Sequence, residues 1–337
     1  MKKIIIIAEI GPNHNGSLKI AKKFVDRISK SGADYIKFQT SIPSDHISKY
    51  ASKAKYQKKN TNNKESQLDM AKKISLTYKE FKELFSYCNK KKMKFLTTAF
   101  GLKSLSFIKK FKMDYIKIPS GEINNFVYLK NLPIEKKTKV LLSTGMSNIV
   151  EISEAITFLK KRHVNKNKII LMQCTSSYPA PYTYTNLKAI EFLKKKFKTR
   201  VGFSDHTLGT ECAIAAIGLG AEYIEKHVTF NNASKGPDHK ASLKINKFEV
   251  LVKQIRNIEL AMGDGLKKIE KSEKQNRVIA RNSIIAKKNI EKNEKFSIHN
   301  LIVKRPGNGM PSKYLFKVLG KKSNKKYLAD QLIKIKV

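Results

Sequence analysis

Eight short runs of β-branched and aromatic residues, each followed by a longer amphipathic segment, fill residues 1–264, and few folds accept that alternation. The runs are KIIIIAEIG (3–11), DYIKFQT (34–40), MKFLTTAF (93–100), YIKIPSGE (115–122), KVLLSTGM (139–146), IILMQCT (169–175), VGFSDHT (201–207) and EYIEKHVTF (222–230). Helical patterns lie between them, among them LKIAKKFVDRISKSG (18–32), IVEISEAITFLKKRH (149–163), LGTECAIAAIGLG (208–220) and INKFEVLVKQIRNIELAMG (245–263). Eight β-then-α units spaced for parallel crossovers predict an α/β fold, a (β/α)8 TIM barrel. One long connection, from Thr40 to about Lys72, follows the second strand and fits either a lid or binding loop or an unstructured spacer. Residues 265–280 are polar and read as a linker. Short β patterns return over 281–337, which predicts a small, separate β-rich domain.

Each run is apolar at its start and polar at its carboxyl end. The polar residues are Glu9; Lys37 and Gln39; Thr97 and Thr98; Lys117, Ser120 and Glu122; Ser143; Thr175; Ser204 and His206; Glu225 and His227. In YIEKHVTF, Glu225 and His227 alternate with sheet-forming residues, so they share one side of the strand. A barrel gathers its strand ends at one mouth, where such folds carry their chemistry. Polar residues on all eight ends therefore predict an active site. His206 and His227 fall at matching depth on adjacent strands, and their spacing fits both a divalent-metal site and a hydrogen-bonded imidazole pair. Lys37 and Lys117, with the hydroxyls of Thr98, Ser120, Ser143 and Ser204, form a cradle for a small anion. A Schiff-base lysine is the competing role for Lys37 or Lys117. Glu9 and Glu122 are the acid/base candidates.

Composition narrows the partners. A formal charge of +42 raises the question of nucleic acid. The lysines are scattered over the whole chain rather than gathered in a stripe with aromatics, however, and Arg is scarce, so no nucleic-acid partner is expected. The opening MKKIIIIAEIG imitates a signal peptide, but Glu9 interrupts the apolar run and no small-residue cleavage site follows; a buried first strand is expected instead. No apolar stretch approaches the roughly 20 residues of a membrane span. Cys88, Cys174 and Cys212 have neither metal-type spacing nor the number for a disulfide framework, which suits a cytoplasmic protein.

The stretches IIAEIGPNHNGSLKIAKKFVDRISKSGADYIKFQT, YIKIPSGEINN, LLSTGM, CTSSYPAPY, GFSDHTLG, IEKHVTF, GPDHKASL and VKRPGNG resemble the sialic acid synthase family, in order and spacing, over nearly the whole chain. The resemblance implies a barrel followed by an antifreeze-like (SAF) domain, in a domain-swapped homodimer. It also implies condensation of phosphoenolpyruvate with an N-acylated hexosamine, releasing phosphate and giving a nine-carbon 2-keto acid. By position, His206 and His227 resemble ligands of Mn2+ or Mg2+, and Lys37, Thr98, Lys117, Ser120, Ser143 and Ser204 resemble a phosphoenolpyruvate site. Glu9 resembles the acid/base group nearest the reacting carbons, with Glu122 behind it. Gln39, Asn60, Tyr178 and Asp238 resemble sugar-binding positions, and Arg305 a residue that the C-terminal domain lays over the acylamino group. Ala99, Gln173 and Ser176 depart from the family pattern, which touches the loop after the third strand and the anion contacts of the sixth. The first expectation is N-acetylneuraminate synthesis from N-acetylmannosamine. The alternative is legionaminic acid synthesis from 2,4-diacetamido-2,4,6-trideoxymannose, and the motifs do not choose between the two sugars.

Overall fold

The computed structural model describes residues 3–62 and 64–336. It divides into two compact units, Met1–Gly263 and Asp264–Val337. In the first unit, strands β1 (Ile5–Gly11), β2 (Tyr35–Ser41), β3 (Lys94–Phe100), β4 (Tyr115–Ile118), β5 (Lys139–Ser143), β6 (Ile169–Cys174), β7 (Arg200–Asp205) and β8 (Tyr223–Thr229) pair in parallel, each with the next. β8 also pairs with β1, Ile5 opposite Tyr223 and Glu9 opposite His227, and the barrel closes.

Helices α1 (Leu18–Ile28), α2 (Lys55–Asn60), α3 (Gln67–Ile74), α4 (Tyr78–Lys90), α5 (Leu102–Ile108), α6 (Phe126–Lys130), α7 (Ile149–Lys161), α8 (Ala189–Phe197), α9 (Glu211–Gly218) and α10 (Ile245–Ala261) complete the unit. In α1 the Ser17 hydroxyl caps the first turn by accepting from Ile20 N, and Ala21, Phe24, Val25 and Ile28 make the buried stripe. Burial of a side chain such as Phe24 contributes roughly 2 kcal/mol. A second cluster fills the amino end of the bore: Ile7, Tyr35, Leu96, Tyr115, Leu141, Ile170, Met172 and Tyr223. Tyr115 stands edge-on to both Tyr35 and Tyr223, with ring centroids 5.3 and 5.7 Å apart. Gly202 is required there, because a Cβ on it would lie 2.6 Å from Tyr223 Cβ and 2.5 Å from Met172 Sδ.

Three local expectations need correction. The fourth strand stops at Ile118 rather than 122: Pro119 brings no N–H to the ladder, and Ser120–Glu122 turn as a 3-10 helix. The long connection is not an unstructured spacer, because it carries α2 and α3; Ser66 caps α3 by accepting from Asp69 N at 3.0 Å. In the second unit, the polar stretch read as a linker contains α11 (Glu273–Ala280).

The second unit pairs β9 (Ser283–Ala286) antiparallel with β10 (Leu301–Lys304). Its own core gathers Ile284, Ala286, Ile290, Phe296, Leu301, Val318, Tyr327 and Ile333. No helix among the described residues is long and apolar enough to cross a membrane.

Candidate active site

Strand alternation turns Glu9, Lys37, Lys117, Ser204, Glu225 and His227 into the bore above the tyrosines, where they help to line a cavity of about 290 Å3 with Thr98, Ser120, Ser143, Tyr178 and His206. Four buried ionisable groups meet there. Lys117 Nζ donates to both oxygens of Glu225 at 2.7 and 2.9 Å. Lys37 Nζ sits 2.8 Å from Glu9 Oε2 and 3.6 Å from Glu225 Oε2, and donates to Thr98 Oγ1 at 3.1 Å. Ser204 Oγ donates to Glu225 Oε1 at 2.9 Å. The Ser120 hydroxyl accepts from Gly145 N at 3.2 Å.

The two carboxylates diverge. Burial works to raise Glu225, but the Lys117 and Lys37 ammoniums outweigh it and hold this carboxyl well below the usual range. In Glu9 burial prevails over the opposing Lys37, helped by repulsion from Glu225, and its pKa rises to about 7. Glu9 Oε1 accepts from Gln39 Nε2 at 3.1 Å, whereas the buried Oε2 receives no well-directed hydrogen bond. Burial also pulls Lys117 down, yet its two short contacts to one carboxylate keep its proton on nitrogen. With Glu9 protonated, Lys37, Lys117 and Glu225 leave the chamber one net positive charge. That sign suits an anion.

A second chamber of about 420 Å3 is walled by the β1–α1 turn, by α2 and α3, and by Pro237 and Asp238. Gln39, Phe100, Met146, Tyr178 and His227 border both chambers. Tyr178 packs its ring 4.3 Å from His206 and 5.1 Å from Tyr56, centroid to centroid. Asp238 is buried, which lifts its carboxyl to about 7.

Not every expected residue joins the cluster. Glu122 is half-buried on the turn after β4, where its carboxylate accepts from Asn125 Nδ2 at 2.7 Å, and it lines neither chamber. Asn60, at the end of α2, donates to Pro237 O at 2.8 Å and ties the β2 connection to the loop after β8. Arg305 is exposed in the second unit, just past β10. Conversely, Glu225 holds the center of the charge network, a place the sequence reading did not give it. Its signal was position: an acidic residue two before His227 on an inward face.

His206 and His227 lie with ring centroids 5.4 Å apart. Burial pushes His206 down to about 4 and His227 well below its ordinary value, so both rings are neutral. His206 Nδ1 donates to Thr175 O at 2.8 Å, which leaves the lone pair on Nε2. His227 Nδ1 is buried without a hydrogen-bond partner, its nearest acid being Asp238 Oδ2 at 3.8 Å. Among the described residues no cluster of three or more His, Cys, Asp or Glu is placed to hold a metal. Two neutral imidazoles, one with an orphaned nitrogen, still fit a divalent cation that keeps its other positions for water or substrate oxygens.

Comparison with known proteins gives a consistent background. The NeuB family model matches residues 24–267 and the SAF domain model residues 281–336. N,N'-diacetyllegionaminic acid synthase of Campylobacter jejuni is 48% identical, over 99% of this chain and 100% of its own. The enzyme of the same name from Legionella pneumophila is 38% identical over 94% of this chain and 89% of its own. The crystal structure of N-acetylneuraminic acid synthetase from Leptospira borgpetersenii, in complex with citrate, superposes with a TM-score of 0.69 at 30% identity, covering 82% of this chain and 90% of that one.

Proposed function

The chain belongs to the NeuB family of sugar-acid synthases, and from that premise we propose that it condenses phosphoenolpyruvate with 2,4-diacetamido-2,4,6-trideoxymannose to give N,N'-diacetyllegionaminic acid and phosphate. The observation that carries the choice of sugar is the 48% identity, end to end, with a legionaminic acid synthase. N-acetylmannosamine, giving sialic acid, is the second reading, supported by the likeness to a sialic acid synthetase at 30% identity. A purified-enzyme assay with both sugars decides. The diacetamido sugar should show the higher kcat/KM; preference for N-acetylmannosamine would transfer the assignment to sialic acid, and turnover of neither would refute both.

In the proposed reaction the inner chamber takes phosphoenolpyruvate through Lys37, Thr98, Lys117, Ser120, Ser143 and Ser204, and the outer chamber takes the sugar against Gln39, Tyr178 and Asp238. Carbon 3 of phosphoenolpyruvate attacks the sugar aldehyde, whose oxygen becomes a hydroxyl by accepting a proton. Water adds at carbon 2, and the C–O bond to phosphate breaks. Glu9, with a pKa near 7, is the group poised to hand over that proton. His206 and His227 would hold Mn2+ or Mg2+, which when bound supplies a Lewis acid for the aldehyde. Both lysines contact carboxylates as ammonium groups, which favours anion binding over a Schiff base; borohydride trapping with substrate that labels either one would reverse this assignment.

The proposal extends to assembly and place. Arg305, exposed on its loop, would cap the barrel of a second copy in a homodimer. Arg305→Ala and His206→Ala chains should each be nearly inactive alone and recover activity as mixed dimers; mixed dimers as inactive as either parent refute capping in trans. Three free, buried thiols suit a reducing cytoplasm.

A further inference from the structure

The β7–β8 ladder ends with two rungs, Ser204 opposite Glu225 and Asp205 opposite Lys226. Alternation sends the first rung into the bore and the second outward, so adjacent rungs tie the strand tips together on both faces. Outside, Lys226 Nζ donates to Asp205 Oδ2 at 2.7 Å and to Thr207 O at 2.6 Å. Asp205 Oδ1 accepts from Thr207 N at 2.8 Å and from Thr207 Oγ1 at 2.7 Å. Asp205 and Lys226 are each 1% exposed, an ion pair withdrawn from water.

The two imidazoles follow directly on this knot. His206 lies between Asp205 and Thr207, beyond the last rung that β7 makes with β6 or β8. His227 is the residue after Lys226. A slip of one strand tip past the other would change the distance between the imidazoles, and the outward knot opposes that slip. Buried ion pairs are on balance no more stabilising than well-packed apolar side chains, so stability alone does not call for charges here. What charges and directed hydrogen bonds add is a single geometry.

We propose that Lys226 and Asp205 are positioning residues: their outward ion pair sets the spacing of His206 and His227 and thereby the affinity for a divalent cation. The inference rests on the metal reading proposed above, so the test reads metal binding directly, without turnover. Mn2+ is titrated into the full metal-free chain, free Mn2+ is followed by electron paramagnetic resonance, and melting of the metal-free protein is measured alongside.

Lys226→Met/Asp205→Leu removes both charges together. It leaves Thr207 N, Oγ1 and O without these partners and so should melt lower than the unaltered chain, and it should bind Mn2+ about 10- to 100-fold more weakly, the range expected when support behind a metal ligand is lost. A double variant that folds and binds within twofold of the unaltered chain overturns the proposal. Should it not fold, Thr207→Val carries the test, since it keeps both charges and drops one hydrogen bond. Its binding should weaken roughly threefold, and unchanged binding overturns the proposal. His227→Ala separates the two readings. If the unaltered chain binds no Mn2+, or His227→Ala binds it equally well, the metal reading fails and the positioning role falls with it.

Discussion

Replacing Glu9 by Gln exchanges a buried ionisable group for a neutral one of the same shape, and the structure fixes how stability should respond to pH. Glu9 is 1% exposed, and burial lifts its pKa from 4.5 to about 7. Between those values the folded chain holds a proton that the unfolded chain has released. Stability therefore falls as pH rises through the window and levels off above 7. A rise from 4.5 to about 7, at about 1.4 kcal/mol per pH unit, makes ionised Glu9 cost the folded state roughly 3 kcal/mol. Gln carries no such term. Glu9→Gln should match the parent near pH 4.5, gain on it up to pH 7, and stay ahead by that amount at pH 8. For a unit of this size the gain is roughly 6–12 °C in melting temperature. Asp238 titrates over a similar range but is present in both proteins, so the difference between their melting curves isolates Glu9 and whatever depends on its charge. The same variant should lose most of its synthase activity. A melting difference that stays flat from pH 4.5 to 8 would refute the assignment of Glu9 as a proton-holding acid under strain from burial.

Three further outcomes follow from the site. Lys117→Ala should raise the KM for phosphoenolpyruvate about tenfold or more, since a charge-assisted contact contributes roughly 1.5–3 kcal/mol, while the sugar KM holds; equal rises for both substrates would mean Lys117 has been misassigned. Gly145→Ala would set a Cβ 2.4 Å from Ser176 Oγ and 2.8 Å from Ser120 Oγ, so it should weaken phosphoenolpyruvate at least tenfold without unfolding the barrel; unchanged steady-state kinetics would remove Ser120 from the anion cradle. Exhaustive chelation should abolish turnover and Mn2+ should restore it, and activity that survives chelation would sink the role of the imidazole pair as holder of a Lewis-acid cation.

Much of the fold was legible because alternation and crossover spacing are local signals that eight units repeat. The misread stretches each had a local cause. Pro119 ends β4 early, and α3 hides its start in Ser66 and Asp69 within a polar run. The mouth of the barrel was legible from polar strand ends, but pairing within it was not. Lys117 and Glu225 are 108 positions apart and meet because the barrel closes, which no window of sequence displays. Glu122 looked equivalent to Glu9 as an acidic residue near a strand end. The turn after Ile118 gives it Asn125 as a partner instead. Lys226 carries no signal in the sequence beyond that of an outward lysine between two inward residues; its outward partner emerges only once the register of β7 on β8 is known.

The tyrosines at the foot of the bore make the site a blind well. With Tyr35, Tyr115 and Tyr223 packed across the amino end, whatever reaches the lysines has to come and go by one mouth. On the proposed reaction this imposes a queue: the anion enters first, the sugar settles above it, and the long sugar acid must clear the mouth before phosphate can follow. Phosphate would then be the last to leave and the first to compete, inhibiting against phosphoenolpyruvate rather than against the sugar. The floor of the barrel, far from any reacting atom, would thus set the order of traffic through the enzyme.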